Sequence, residues 1–328
     1  MTDNVLVTGG AGYIGSHVCK ALAAAGYRPV TVDNLEQGYA WAVQWGPLEQ
    51  ADVRDGAALD RIFEAYQPVA VMNFAAYIQV GESVRAPLKY YRNNLEVLMS
   101  VVAAMRRHGV PAIVFSSTAA VYGDPETVPI PEDHPLRPLN PYGQSKLMGE
   151  RVLWDEAATG GFEAVSLRYF NAAGADPKAA IGEAHVPETH LIPLAIRAAR
   201  DPAFTLEVFG RDFNTRDRTA ERDYIHVDDL AAAHVAALRH LLDGGASACL
   251  NVGTGQGATV QEVIDVCAEV LGTAPKYRDA PRRAGDSPRL VADPRQARAL
   301  LDWQPVSSDL KTIVRTAAAW DDRLHGGG

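Results

Sequence analysis

The chain has 328 residues, 47% of them hydrophobic and 22% charged, the balance of a folded globular protein with room for one large α/β unit and an appended lobe. Thirty-one basic against 40 acidic residues leave a net charge of −9, which excludes a general nucleic-acid surface but not an anion held by a few arginines or a helix N-terminus. Three scattered cysteines (Cys19, Cys249 and Cys267) suit neither a disulfide framework nor a metal site. With no apolar run near the roughly 20 residues of a membrane span and no signal-peptide pattern at the start, the expectation is a cytoplasmic protein without membrane, metal or nucleic-acid partners.

In chain order, VLVT (5–8) predicts a buried strand and residues 13–25 a helix, then PVTVD (29–33) a second strand. LDRIFEAY (59–66) reads as a helix and VAVMNFA (69–75) as a strand; a long helix follows over 87–108 and a strand over 112–117. The Pro-rich stretch 125–141 is a loop. Its end starts a helix with Asn140 as N-cap and Pro141 in the first turn,. VSLRYFN (165–171) predicts one more strand. Beyond it come a Gly/Ala/Pro-rich loop (172–190), a helix near 191–200, a strand 206–209, a charged loop 211–222, helix 228–242, strand 249–253, helix 259–271, a mostly helical end (294–322) and a frayed tail from His325. Short apolar strands alternating with helices imply βαβ units, and so a parallel sheet covered on both faces.

The stretch from Val7 to Gly15 places Gly9, Gly12 and Gly15 between the first strand and the first helix, with Tyr13 and Ile14 opening that helix. A tight turn, close backbone approach to a pyrophosphate and close helix–strand packing each require glycine there, and the helix N-terminus supplies free N–H groups and a positive dipole end. Asp33 ends the second strand 18 residues beyond Gly15. Its carboxylate suits the ribose hydroxyls of NAD and repels the 2′-phosphate of NADP, and Asn34 beside it is no arginine that would welcome that phosphate. The expected fold is therefore α/β: a Rossmann-type doubly wound parallel sheet over residues 1–171, with some later segments returning to it. A smaller, interleaved C-terminal α/β lobe over 172–328 would bind substrate.

Tyr142 and Lys146 form Tyr-x-x-x-Lys on a predicted helix, so both side chains share one face,. A phenol with a pKa near 10 is a poor base at neutral pH, and a fixed ammonium moves it towards neutrality. Tyr142 can then take a proton from a substrate hydroxyl while hydride leaves its carbon, with Lys146 also holding the nicotinamide ribose. A strand ending in Ser116-Ser117-Thr118 lies some 25 residues upstream, and the Thr118 hydroxyl can bridge substrate and Tyr142.

Together with these motifs, Asp52-Val53, Phe74-Ala75-Ala76, the run Val80 to Ser83, Tyr90 to Asn94, Ser116 to Gly123, Leu167 to Asn171, Arg222 to Leu230 and Arg282-Arg283-Ala284-Gly285-Asp286 closely resemble the extended short-chain dehydrogenase/reductase family, within it the UDP-hexose 4-epimerases. The resemblance spans essentially the whole chain. It implies that Asp52 and Val53 contact adenine, and that Phe74, Ala75 and Ala76 line the cofactor cleft. Asn94 would lie near the cofactor or the substrate phosphates, and Ser116 and Tyr169 near the cofactor. It further implies that Asn171 holds the substrate diphosphate, that Arg222 and Arg283 clamp it and that Asp286 accepts from the uridine ribose. His190 would sit beside the uracil, with Leu191, Phe209 and Tyr224 also on the substrate. A homodimer through helices 87–108 and 141–158 is implied as well. Three residues depart from the family pattern: Thr118 for a frequent Ser, Arg218 for a Gly, and His190 for an Asn.

The triplet after the fifth predicted strand separates sister reactions. Members that eliminate water across C5–C6 carry Thr-Asp-Glu there, and decarboxylating members a Glu at its third place. Here it is Thr118-Ala119-Ala120, whose methyl groups transfer no protons. What the resemblance then implies is interconversion of UDP-glucose and UDP-galactose, with bulky Leu290 at the position that gates the sugar's 2-substituent favouring plain hexoses over N-acetylated ones. Epimerisation of another UDP-sugar (pentose, uronate or N-acetylhexosamine) stays open, as does a non-catalytic NAD-sensing protein on the same fold.

Overall fold

A computed structural model describes residues 2–283 and 286–326. Ala284 and Gly285 of the Arg-Arg-Ala-Gly-Asp run and the last two glycines of the expected tail lie outside the described residues.

Strand β1 (Asn4–Thr8) leads into helix α1 (Tyr13–Ala24), strand β2 (Arg28–Asp33) and the short strand β3 (Leu48–Gln50). Helix α2 (Gly56–Tyr66) begins at Asp55, whose carboxylate accepts from the N–H groups of Ala57 and Ala58, an N-cap that starts the helix three residues before the predicted Leu59,. Then come β4 (Ala70–Asn73), α3 (Val80–Arg85), α4 (Pro87–His108) and β5 (Ala112–Ser116). Helix α5 (Pro141–Ala158) is capped by Asn140, which accepts from the Gly143 N–H at 2.9 Å, and β6 (Glu163–Tyr169) follows. The second half comprises β7 (Asn171–Ala173), α6 (Leu191–Arg200), β8 (Leu206–Phe209), β9 (Glu221–His226), α7 (Val227–Leu242), β10 (Ala248–Val252), β11 (Gly257–Thr259), α8 (Val260–Leu271), β12 (Tyr277–Ala280), β13 (Arg289–Leu290), α9 (Arg295–Leu301) and α10 (Leu310–His325).

Seven strands form one parallel sheet in the order β10-β6-β5-β4-β1-β2-β3. Two apolar layers cover it, as strands that are apolar on both faces require. On one face Val18 and Leu22 of α1 and Leu230 and Leu238 of α7 pack on Val5, Val7 and Val165. On the other, Leu59 and Phe63 of α2, Leu98 and Met105 of α4 and Leu153 of α5 pack on Leu6, Val71 and Ile113. The strand order reverses between β1 and β4, which opens a crevice at their carboxyl ends, where sheets of this kind bind ligands. A smaller assembly places β11, β9 and β13 side by side with β7 on β9 and a separate β12–β8 pair, over a core shared by α6, α8 and α10.

The predicted strand 165–171 is two strands. The chain changes sheets at Phe170: β6 pairs with β5 and β10, while Asn171 starts β7, whose partner is β9. The mostly helical end is likewise broken, by Asp302 at φ +45° and by Asp309, which caps α10 by accepting from the Thr312 N–H. His325 closes α10 instead of starting a frayed tail.

Candidate active site

The glycine-rich turn sits at the crevice. Gly9 has φ +73°, and a Cβ on it would lie 2.6 Å from the Ala75 nitrogen at the end of β4, while one on Gly15 would overlap the Gly9 carbonyl oxygen,. The backbone is therefore as close to α1 and β4 as a peptide can come, which leaves the helix N-terminus open. Gly12, the N-cap of α1, contributes no side-chain hydrogen bond, and the first turn carries no acidic residue. These free N–H groups favour a phosphate. Asp33, buried at the end of β2, accepts from the N–H groups of Ala11 (3.0 Å) and Leu35 (2.8 Å) and keeps lone pairs for a ribose diol. Burial raises its carboxyl and the two N–H donors draw it back. Asn34, beside it, is exposed and turns its amide oxygen to the Glu36 N–H.

Tyr142 and Lys146 lie one turn apart on α5 and are both buried. The Lys146 ammonium donates to the Ser116 carbonyl at the end of β5 (2.7 Å), so the helix is registered against the sheet and two N–H bonds stay free for other partners,. Burial lowers its pKa to about 7, opposed by the Glu150 carboxylate one turn on. Burial raises the Tyr142 phenol, and a hydrogen bond from the Thr118 side chain draws it back. Thr118 Oγ1 also accepts from the Ala120 N–H (3.2 Å), which fixes the hydroxyl and leaves its proton to be donated. Tyr169, at the end of β6, reaches back to Ser116 Oγ (2.6 Å) and lies near enough to Tyr142 for each phenolate to disfavour the other.

Of the other residues expected at the cofactor, Phe74 follows β4 and packs at a tilt against the His234 ring, centroids 4.8 Å apart. The Val53 side chain is in the core, and Asp52 is engaged by the Arg54 guanidinium, which holds its carboxyl below the usual range. Asn94 spends its amide on protein groups: its oxygen accepts from the Tyr77 N–H and its nitrogen donates to the Tyr77 carbonyl and Ser145 Oγ. It ties the loop after β4 to α5.

The expected substrate residues gather on the small sheet. Registers put Asn171 opposite Tyr224 and Leu290 opposite Arg222. Arg222 donates to the main-chain oxygens of Glu221 and Ser287 and stands 4.0 Å from the Asp286 carboxylate. The Arg283 guanidinium carbon lies over the Phe209 ring, 3.8 Å from its centroid,. Leu290 and Phe170 pack against Ala119, Val121 and Leu147, which joins this group to the turn that carries Thr118. His190 caps α6 and pairs with Glu183; that carboxylate raises the imidazole to about 9.

Arg218, which stands where the family pattern has Gly, adopts φ +69°, the left-handed conformation that glycine takes without strain,. Arg218→Gly should therefore raise stability by up to about 1 kcal/mol, the steric relief less the added freedom of the unfolded chain. A lower melting temperature for the variant would refute this.

Sequence reasoning passed over Glu150 and Arg168. Glu150 is fully buried, accepts two hydrogen bonds from Arg168 (2.9 and 2.7 Å) and takes the Ser117 hydroxyl as well. Its spacing from Lys146, i+4 on the same helix, was the available signal.

A helix N-terminus built for phosphate, a ribose-reading acid and a buried Tyr/Lys pair at a topological switch point define a dinucleotide-dependent short-chain dehydrogenase/reductase type of site. The family profile described as "NAD dependent epimerase/dehydratase family" matches residues 5–253, and the chain belongs to that family. Its relatives include the UDP-glucose 4-epimerase of Rhizobium meliloti (strain 1021), 49% identical over 326 residues and 99% of both chains. Among solved structures it superposes on UDP-glucose 4-epimerase from Brucella ovis in complex with NAD with a TM-score of 0.95, at 48% identity over 97% of this chain and 98% of that one. It also superposes on the Bifidobacterium longum enzyme in complex with NAD+ and UDP with a TM-score of 0.93, at 36% identity over 99% of both.

Proposed function

We propose that the protein interconverts UDP-glucose and UDP-galactose by transient oxidation at C4 of the sugar. The observation that carries this reading is the buried Tyr142–Lys146 pair facing a turn, Thr118-Ala119-Ala120, in which only Thr118 can exchange a proton. The names of the relatives support the same substrate pair.

The glycine turn, the uncapped α1 N-terminus and Asp33 fit NAD. The turn has no room for side chains, the N–H groups suit a pyrophosphate, and the acid suits a ribose diol,. Bound there, NAD supplies a hydride acceptor and donor for C4. Tyr142 takes the 4′-hydroxyl proton, and the Lys146 ammonium stabilises the phenolate. The Thr118 hydroxyl donates to the same sugar oxygen. Arg222 and Arg283 hold the diphosphate, with Asn171 and Tyr224 beside it and Asp286 on the ribose, while the sugar swings about that anchor. Tyr142 then returns its proton to the opposite configuration. No net redox occurs, so the cofactor can stay bound through many turnovers. In this reading residues 1–171 with the returning α7–β10 segment form the cofactor domain, and most of the remainder forms the substrate lobe.

Purified protein mixed with UDP-galactose, without added NAD, should yield UDP-glucose. No conversion, with NADH accumulating when NAD is added, would mark a net oxidoreductase instead. Gly15→Ala should lower co-purifying NAD at least ~10-fold, because the new methyl must displace backbone at a cost of a few kcal/mol,; full NAD content in the variant would overturn the assignment of the turn.

Leu88 and Met99 on α4 and Trp154 on α5 are exposed at 68%, 47% and 45%, and such apolar surface on two packed helices supports a homodimer through them. Light scattering should give twice the chain mass, and Met99→Arg should halve it. Among the described residues no helix is long and apolar enough to cross a membrane.

A further inference from the structure

We propose that Glu183, His185, Glu188 and His190 form a binding site for a single Zn2+-type cation on the loop that precedes α6. Cysteine spacing led to the expectation of no metal, but the folded loop assembles a different donor set. The four donor atoms lie within 4.8 Å of one another. Zinc bonds of 2.0–2.2 Å to nitrogen and carboxylate oxygen put tetrahedral ligands about 3.3 Å apart. Two separations here are 2.9 Å, between His185 Nδ1 and Glu183 Oε1, and 3.5 Å, between His190 Nδ1 and Glu188 Oε1. His190 Nδ1 also closes a short hydrogen bond on the same Glu183 Oε1, so a cation entering between these atoms takes the place of that contact and spreads the pair to ligand spacing.

Charge and chemistry agree with the geometry. Two imidazoles and two carboxylates are ligands that zinc accepts. Binding releases the proton that His190 holds against Glu183 to solvent,, and with both imidazoles then neutral the two carboxylates balance a dication. The surroundings are already negative: after burial, the charges of Glu183, Asp228 and Glu188 are what push the Tyr13 phenol further up. Magnesium and calcium prefer all-oxygen shells with more ligands and are the poorer match.

The loop is held at both ends, so the donors are organised before a metal arrives. Trp320 donates its indole N–H to the Glu183 carbonyl (2.7 Å), and His190 is the N-cap of α6. Glu183, its side chain 6% exposed, forms the floor, and His185 (21%), Glu188 (20%) and His190 (45%) form an open rim through which an ion can enter. His185 also packs edge-on against Tyr13, the first residue of α1. Metal binding would fasten this loop beside the phosphate-binding turn and would take His190 away from a substrate base.

Calorimetry of untagged protein with zinc chloride should show one equivalent bound per chain. His185→Ala and Glu188→Gln should each weaken it at least ~10-fold, the lower end of what even an outer-shell change does at metal sites. Cys249→Ser should leave it unchanged. Cobalt(II) should give the visible absorption of a tetrahedral site and quench the fluorescence of Trp320, which touches the loop. Circular dichroism matching the unmodified protein excludes misfolding as the cause. No stoichiometric binding, equal affinity in both loop variants, or loss with Cys249→Ser would overturn the site.

Discussion

Tyr142→Phe should lower kcat for UDP-galactose conversion by about 10²- to 10⁴-fold, the usual worth of a positioned acid–base group, while NAD content and melting temperature stay close to the unmodified values. The phenol ring contributes packing that phenylalanine keeps; only the proton carrier is lost. Lys146→Met tests the other half of the pair. Burial raises the Tyr142 phenol, and a cation one turn away favours the phenolate, an effect of about 1–3 units for close opposite charges. Removing the ammonium should therefore move the acid limb of the pH–rate profile upward by about that much, since a weaker acid needs a higher pH to ionise. Burial lowers Lys146 itself to about 7, and because an ammonium and a phenolate one turn apart stabilise each other, Tyr142 and Lys146 titrate as a pair with shared apparent values. An acid limb that does not move in Lys146→Met would show that the lysine serves cofactor binding alone.

The sequence displays those parts of the fold whose physics is local. Val5-Leu6-Val7 and Ile113-Val114-Phe115 are apolar without alternation, as strands covered on both faces must be, and both are central strands. Asn140-Pro141 announces α5 because capping is a contact within one turn. Strand β3 was invisible: Leu48-Glu49-Gln50 is a half-polar edge with one partner,. Strands β7, β11 and β13 have two or three residues each and exist only because β9 presents a partner to each. The site follows the same division. The Gly9–Gly15 turn, Asp33, Tyr142 and Lys146 are legible because their spacing carries their chemistry. Arg222 precedes Asp286 and Leu290 by 64 and 68 residues and meets Leu290 only through the β9–β13 register, so their juxtaposition is a tertiary fact that only resemblance anticipated. The Glu183–His190 cluster went unnoticed because its ligand set mixes carboxylate with imidazole and lacks the cysteine or His-x-x-x-His spacing that reads as metal binding,.

Glu150→Ala should destabilise the protein by about 3–5 kcal/mol, the cost of leaving one half of a buried ion pair uncompensated. The pair is nearly closed to water, with the Arg168 and Glu150 side chains 5% and 2% exposed. Arg168 has few alternatives: its remaining donors go to Tyr122 OH and the Glu132 carbonyl, and Tyr122 OH donates to the Asn251 amide oxygen in β10. One carboxylate thus joins α5, β5, β6 and β10 through charged and hydroxyl groups that have no solvent to fall back on. For a chain of this size, 1 kcal/mol corresponds to roughly 2–4 °C or somewhat less, so a drop of at least several degrees is expected in thermal denaturation. The double replacement Glu150→Leu with Arg168→Met should recover much of that loss, because removing both charges leaves no orphan and apolar side chains of similar volume pack in the same space. Recovery of stability without recovery of activity would separate the two duties of Glu150: closing the interior, and setting the field in which Lys146 keeps its proton. If Glu150→Ala melts within a degree of the unmodified protein, the pair is not the internal brace that its burial and bidentate geometry indicate.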